Sequence, residues 1–264
     1  MKITVVQPKY YSGENPDSAI AEFLLSKLGE VEKDGFIVLP EYSNAGGLSD
    51  PEKELNALSR AEEMLKSASQ IAKEKSAYVV INLLERRDGK IKNSSYLLNK
   101  KGETAFIYDK IHLPPSEVKL GVAYGDGVCT CQVDGIRFGF MTCYDVYYNE
   151  QIEHMAKFRP DLVVIPGYQR GERTDIIRDQ AKLLAFRLNA FVARSSYSMD
   201  DENHGGCSMI VAPDGTILKD MGAEVGSVSA EIDIKQKYMR SAGFGEGLVP
   251  NDEFISNGLR PQVF

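Results

Sequence analysis

Short apolar runs recur along the chain and alternate with longer stretches in which apolar residues return every three or four positions. The runs are typical of buried strands, and the longer stretches are typical of amphipathic helices. Buried strands are predicted at residues 3–6, 36–39, 78–84, 161–165 and 190–195, with a last strand at 225–234. Helices are predicted at residues 18–33, 51–75, 150–158 and 175–189. Asp50 and Pro51 have the residue types of an N-cap and a first helical position.

Other strand-like runs are joined by turns that contain glycine, with Asp-Gly pairs as the clearest signal of a β-hairpin. These runs are predicted at residues 83–86, 94–99, 103–108, 128–133, 136–142, 207–212 and 216–219. The stretch 112–126 contains Pro114, Pro115 and several glycines, and is predicted to be a loop. Helices and strands that alternate through short connections indicate an α/β fold with helices on both outer faces.

No low-complexity stretch or linker divides the sequence, so residues 1–264 are expected to form a single domain. The tail, from about residue 243 to 264, has few apolar runs. It is predicted to lie over a surface of the protein or against a second subunit.

A formal net charge of −7 disfavours nucleic acid or an anionic membrane as the main partner, since both require a concentrated basic surface. No segment approaches the length of about 20 apolar residues that a membrane helix needs. The apolar run before Gln7 and Pro8 is too short for a signal peptide, so a cytoplasmic location is expected.

Cys143 follows an apolar strand and precedes a predicted helix. A cysteine at such a turn lies near a helix N-terminus and is exposed on one side, and both features favour the nucleophilic thiolate. The alternative is a buried cysteine that acts as a small apolar residue. A Cys–His pair stays open at this point, because the chain contains His112, His154 and His204, although none of them lies in a supporting motif.

Glu41 and Lys110 also follow apolar strands. Partial burial raises the pKa of a carboxyl group towards neutrality, which suits a general base. A lysine held in a pocket can stabilise a developing oxyanion. A charged residue at such a position is, taken alone, more often a surface charge at the end of a strand.

Three segments, in order, resemble the nitrilase superfamily of carbon–nitrogen hydrolases in its amidase and carbamoylase branch. They are LPEYSNAGG at 39–47, YDKIHLPPSE at 108–117 and FMTCYDVYYNE at 140–150. The segment NSSYLLNKKGE at 93–103 is similar to the family's strand and turn before the lysine. Three further segments are similar to its later strands and C-terminal tail: RLNAFVARSSYS at 187–198, CSMIVAPDG at 207–215 and NGLRPQVF at 257–264. The resemblance covers nearly the whole chain.

The resemblance implies a four-layer αββα sandwich that pairs as a homodimer or a larger homo-oligomer. It assigns Glu41 as the general base, Lys110 as the oxyanion lysine and Cys143 as the nucleophile. Glu117 is similar to a second glutamate that some members use to position the substrate or to assist proton transfer. The implied activity is cleavage of a small amide or N-carbamoyl compound through a cysteine acyl-enzyme, with no metal or organic cofactor.

One departure bears on the substrate. Many amidases and carbamoylases carry an arginine three or four residues after the cysteine, where this chain has Val146 and Tyr147. A bidentate carboxylate clamp is therefore missing at that place, and either Arg170 or Arg173 is a candidate substitute. A tyrosine wall is predicted for the substrate pocket, formed by Tyr42, Tyr144, Tyr147 and Tyr168.

Three other interpretations remain open from the sequence. A zinc site would use Cys129, Cys131, Cys207 and His204. A catalytically silent relative would bind a small ligand or a partner through the same pocket. An acyl-transferring relative would pass the acyl group to an amine instead of water.

Overall fold

The computed structural model describes residues 1–11, 15–48 and 50–260. Its strands form two six-stranded sheets and one two-stranded sheet. The first sheet contains β1 (Lys2–Gln7), β2 (Phe36–Val38), β3 (Tyr78–Arg87), β4 (Lys90–Leu98), β5 (Thr104–Asp109) and β12 (Gly226–Glu231). The second contains β6 (Thr130–Val133), β7 (Ile136–Phe140), β8 (Leu162–Pro166), β9 (Phe191–Ser195), β10 (Met209–Val211) and β11 (Ile217–Asp220). The small sheet pairs β13 (Met239–Ser241) with β14 (Leu248–Pro250).

The helices are α1 (Pro16–Gly29), α2 (Pro51–Ala57), α3 (Ala61–Lys75), α4 (Pro115–Leu120), α5 (Asn149–Phe158), α6 (Thr174–Leu188) and α7 (Asn251–Asn257). Short 3-10 helices lie at Leu58–Arg60 and Cys143–Tyr147. The order across the first sheet is β12-β1-β2-β3-β4-β5, and across the second it is β11-β10-β9-β8-β7-β6. None of the helices in the described ranges is long and apolar enough to cross a membrane.

The alternation of side chains along the strands determines the layers. Phe36 and Val38 of β2 point into the core that the two sheets share, whereas Ile37 between them packs with α1 and α3. The Phe36 ring stacks on Phe138 of β7, with ring centroids 5.7 Å apart. Residues of α6, such as Ala181, cover the other side of the second sheet. The α/β fold class and the four-layer αββα sandwich are therefore confirmed.

The Asp-Gly turns behave as the sequence predicts. Asp88 and Gly89 both have positive φ values, of 52° and 74°, and Asp134 has a φ of 48°. These turns join β3 to β4 and β6 to β7 in antiparallel pairs. Positive φ at both central positions matches the twist of the flanking strands, which is why such turns favour Asp-Gly.

Three sequence predictions require correction. The helix expected at 51–75 is two helices, because the 3-10 turn at Leu58–Arg60 redirects the chain from the largely exposed α2 to α3, which packs on the first sheet. The loop expected at 112–126 contains α4, since Pro115 occupies its first position and Gly121, at a φ of 85°, ends it. The strand at 225–234 is not the last, because β13 and β14 follow it.

The described part of the tail docks on its own chain through α7. Asn251 Nδ2 donates to the carbonyl of Phe186 at the end of α6, at 2.6 Å. Asp252 accepts from Asn189 Nδ2 at 2.8 Å and from Arg159 Nε at 2.5 Å. An additional contact with a second subunit stays a prediction, and residues 261–264 lie outside the described residues.

Asp161, before β8, anchors a later segment of the chain. Its buried carboxylate accepts from the backbone and side chain of Arg137 at 2.9 Å and 3.2 Å, and from Lys235 Nζ at 2.6 Å. Lys237 Nζ lies 3.5 Å away. Burial raises the pKa of Asp161, but the hydrogen bonds from Lys235 and Arg137 outweigh it and hold the pKa at about 2.

We expect Asp161→Asn to lower the free energy of unfolding at pH 7 by about 2–4 kcal/mol, because it leaves Arg137, Lys235 and Lys237 without their carboxylate. The depressed pKa places this stabilisation above pH 4, where unfolded aspartate is ionised, and removes it as the pH falls from about 4 to about 2. Urea unfolding at both pH values measures the difference. Asp179→Asn, at an exposed aspartate of α6, is the matched control. Equal stability of Asp161→Asn and wild type at pH 7 would contradict the assignment.

Candidate active site

The three residues predicted to act together lie at strand ends of the two large sheets. Glu41 follows β2, Lys110 follows β5 and Cys143 follows β7. Because the sheets pack face to face, these ends meet at one edge of the sandwich. Lys110 Nζ lies 2.7 Å from Glu41 Oε1, with both side chains buried. Cys143 is half-buried, and all three residues line one cavity.

Glu117 completes the charged cluster from α4. Its Oε2 atom lies 2.9 Å from Lys110 Nζ, as an ion pair without an aligned hydrogen bond. Its Oε1 atom accepts a hydrogen bond from the Tyr42 hydroxyl. One buried ammonium group therefore lies between two buried carboxylates, and the structure brings the four sequence-predicted residues Glu41, Lys110, Glu117 and Cys143 together.

Asn93, on β4, bridges the two carboxylates and was not singled out by sequence reasoning. Its Nδ2 atom donates to Glu41 Oε1 at 2.8 Å and to Glu117 Oε1 at 2.7 Å. Its Oδ1 atom accepts from Asn82 Nδ2 at 2.8 Å, which fixes the amide with its donor side towards the carboxylates. Asn82 Oδ1 in turn accepts from the backbone N–H of Tyr42 at 2.8 Å. The available sequence signal was an asparagine within each of two buried strands.

The backbone next to Glu41 is held in an unusual conformation. Tyr42 has a φ of 56°, a left-handed conformation that costs a bulky residue roughly 1–2 kcal/mol. The Tyr197 hydroxyl donates towards the carbonyls of Glu41 and Tyr42, at 2.7 Å and 3.1 Å. Tyr197 follows β9 of the second sheet, so it ties the segment that carries Glu41 to the sheet that precedes Cys143.

Asp145 shapes the turn that presents Cys143, whose φ is 48°. Thr142 and Asp145 form a reciprocal capping box around the 3-10 helix Cys143–Tyr147. The buried Asp145 carboxylate accepts from the backbone N–H of Thr142 at 2.7 Å, from the Tyr108 hydroxyl at 2.6 Å and from the backbone N–H of His112 at 2.9 Å. It therefore joins the cysteine turn to the segment that carries Lys110.

The electrostatics of the cluster favour a neutral thiol at rest. Burial, together with the carboxylate of Glu41, raises the pKa of Cys143, and the charge of Lys110 only partly opposes this. The expectation that the turn favours a thiolate is wrong, because burial of the thiol and the charge of Glu41 outweigh the opposing charge of Lys110. Burial also raises the pKa of Glu41, as predicted. Burial disfavours the charge of Lys110, but Glu41 and Glu117 more than offset it and raise its pKa.

The cavity above the cluster has a volume of about 620 Å³. Its lining includes the four predicted tyrosines, Tyr42, Tyr144, Tyr147 and Tyr168. Of the two candidate arginines, Arg170 lines the cavity, whereas Arg173 does not and pairs with Asp175. The Arg170 guanidinium lies 4.7 Å from the centre of the Tyr168 ring and donates to the Tyr10 hydroxyl at 2.8 Å.

The alternative assignments are not supported by the geometry. None of His112, His154 and His204 lines the cavity around Cys143. His112 instead stacks on Tyr148 and contacts Asp145, and His204 contacts Asp201. No group of three or more His, Cys, Asp or Glu side chains is arranged to hold a metal within the described ranges.

Comparison with known proteins gives the class. The sequence model of the Carbon-nitrogen hydrolase family matches residues 19–239. A 2-oxoglutaramate amidase from Bacillus subtilis (strain 168) is 27% identical over 224 residues, covering 82% of this chain and 84% of that protein. An (R)-stereoselective amidase from Pseudomonas sp is 28% identical over 179 residues, covering 65% of this chain and 63% of that protein. The solved structure of an amidase from Nesterenkonia sp. has a TM-score of 0.76 at 17% identity, covering 100% of this chain and 94% of that chain.

The chain therefore belongs to the carbon–nitrogen hydrolase family. The resemblance to the nitrilase superfamily, in its amidase-like branch, is confirmed by these relatives. Family membership identifies the protein as a hydrolase of carbon–nitrogen bonds other than peptide bonds.

We expect Asp145→Asn to destabilise the fold by about 2–3 kcal/mol, because an amide presents N–H groups to donors that a carboxylate satisfies. The same change should lower amidase activity in the remaining folded protein, since Thr142 and His112 lose their shared anchor. Thermal unfolding and activity per folded molecule measure the two effects. Asp214→Asn, in an exposed hairpin turn, is the control. Unchanged stability would show that the Asp145 contacts contribute little.

We expect Asn93→Leu to lower kcat/KM for an amide by about 10- to 100-fold and to move the acid limb of its pH profile to higher pH. The hydrogen bond from Asn93 lowers the pKa of Glu41. Loss of this bond therefore raises that pKa, and Glu41 becomes protonated at a higher pH. The profile is measured against Asn257→Leu, an exposed position on α7. A lower rate with an unmoved acid limb would mean that Asn93 supports the fold only.

Proposed function

We propose that the cavity hydrolyses a small amide through an acyl-enzyme on Cys143. The observation that carries this proposal is the buried Lys110 ammonium, 2.7 Å from Glu41 and 2.9 Å from Glu117, on the wall of a cavity that Cys143 also lines. The cluster combines a nucleophile, a proton acceptor and a fixed positive charge in one place.

The chemistry follows from the charges at rest. Cys143 is neutral and Glu41 lines the same cavity, so Glu41 accepts the thiol proton as the sulfur attacks the amide carbon. Lys110 and the backbone N–H of Tyr144 stabilise the oxyanion. Glu41 returns the proton to the departing amine, and water activated by Glu41 then releases the acyl group. Glu117 orients Lys110 and faces the substrate.

The rim of the cavity supports a compact substrate with a polar far end. The tyrosines supply apolar walls, while Arg170 and Glu54 line the cavity on the side of α2 and the loop after β8. The Tyr147 hydroxyl donates its proton to Glu172, so this hydrogen-bond donor is already used within the protein. We propose that Arg170 binds a polar or anionic substituent of the substrate. Val146 and Tyr147 cannot do so in the way that an arginine at their positions would.

N-carbamoyl compounds are a second candidate substrate class, because the same cluster would attack a ureido carbon. Acyl transfer to an amine and a silent, ligand-binding role use the same cavity. The retention of Glu41, Lys110 and Cys143 in one buried cluster favours a working enzyme over the silent role.

A homodimer or larger homo-oligomer and a cytoplasmic location complete the proposal. Exposed apolar side chains on α6, with Leu183 57% exposed, support an association surface. Light scattering tests the oligomeric state, and cell fractionation tests the location.

The decisive measurement is ammonia release from a panel of amides and N-carbamoyl amines by wild type and Cys143→Ala. We expect activity on at least one compound that is abolished in Cys143→Ala and is lowered by about 10²–10⁴-fold in Glu41→Gln. Cys131→Ala, which removes a thiol outside the cavity, is the matched control. Ammonia release that survives in Cys143→Ala would refute the nucleophile assignment. Product analysis with added amines separates hydrolysis from acyl transfer.

A further inference from the structure

A second cavity, of about 90 Å³, lies where α5 and α6 cover the second sheet. Its polar lining consists of Arg187, Arg194, Asn149, Gln169 and Gln180, and the remaining lining residues are apolar. None of the described residues that line it is an aspartate or a glutamate. A cavity with two arginines and no carboxylate carries an excess of positive charge.

Arg194 is the buried member of this pair, with only 2% of its surface exposed. Its Nη1 atom donates to the carbonyls of Gly206 and Cys207 at 2.6 Å and 2.9 Å, and its Nη2 atom donates to Gln169 Oε1 at 3.1 Å. No carboxylate lies within ion-pair distance of Arg194 or Arg187 in the part of the chain that the structure describes. Burial lowers the pKa of Arg194.

A buried cation that is hydrogen-bonded only to neutral acceptors costs free energy, because carbonyl and amide dipoles do not replace a full opposite charge. An anion beside the guanidinium would remove this cost, and Arg187, whose Nη1 donates to Asn149 at 3.2 Å, adds a second positive charge at the same cavity. The volume is that of about three water molecules, so the space suits an ion of one to four atoms.

We propose that this cavity is a binding site for a small monovalent anion of halide or nitrate size. The site is separate from the hydrolytic cluster and does not rest on the proposed hydrolysis. Gln169 lines both cavities, and its Nε2 atom donates to Tyr147 at 3.3 Å and to Gln180 at 3.1 Å. An anion that binds Arg194 therefore affects Gln169, which accepts a hydrogen bond from Arg194 and donates one to Tyr147 in the wall of the active-site cavity.

The test is thermal unfolding of the whole protein in increasing sodium chloride, bromide or nitrate, with sodium gluconate keeping the ionic strength constant. Gluconate is too large for the cavity. We expect the small anions to raise Tm along a saturating curve, by roughly 3–8 °C at 10- to 100-fold Kd. Arg194→Met and Arg187→Met should lose this rise. Arg86→Met, at an exposed arginine of β3, removes the same charge and should keep it.

Arg187→Met keeps the test decisive if Arg194→Met does not fold, because Arg187 is only half-buried. A crystal soaked in bromide gives the position directly, and an anomalous peak between Arg187 and Arg194 is expected. Equal Tm responses in wild type and Arg187→Met, together with a bromide-soaked cavity that holds no peak, would overturn the proposal. A response to gluconate equal to that to chloride would also overturn it, since it would reflect ionic strength alone.

Discussion

Lys110 places its ammonium group between the carboxylates of Glu41 and Glu117, with all three side chains buried. Taking these charges out of water costs several kcal/mol for each ion, and the cost is offset only when their geometry is fixed and their hydrogen bonds are satisfied. The surrounding residues meet that requirement. Asn93 donates to both carboxylates, and Tyr42 donates to Glu117. The cluster and its supports therefore have to form together.

The position of the reacting groups also depends on how the two sheets pack against each other. Glu41 and Lys110 extend from the first sheet and Cys143 from the second, so the reacting groups meet only if the sheets keep one relative position. The stacked rings of Phe36 and Phe138 fill the core between them, and the Tyr197 hydroxyl binds the backbone of Glu41 from the other sheet. Shared packing and cross-sheet hydrogen bonds thus fix the position of Glu41 relative to Cys143.

Apolar periodicity was sufficient to predict the main strands, the outer helices and the hairpins, because burial of one face determines each of them. It missed α4, since the same prolines and glycine that break long helices also begin and end short ones. The resemblance identified Glu41, Lys110 and Cys143, but the contacts of Asn93 and Asp145 depend on long-range approach of strands that no local pattern encodes. The protonation of Cys143 was likewise predicted wrongly, because desolvation depends on how deeply the turn is enclosed.

The neutral state of the Cys143 thiol has a consequence for the chemical durability of the protein. Peroxides and related oxidants attack cysteine mainly as the thiolate, and the susceptibility of a cysteine follows its thiolate character and exposure. A half-buried thiol whose pKa is raised by burial and by Glu41 presents little thiolate between turnovers. In the proposed mechanism, charge develops on the sulfur only when a substrate occupies the cavity and Glu41 accepts the proton. The raised pKa of the Cys143 thiol thus also protects this side chain from irreversible oxidation while the cavity is empty.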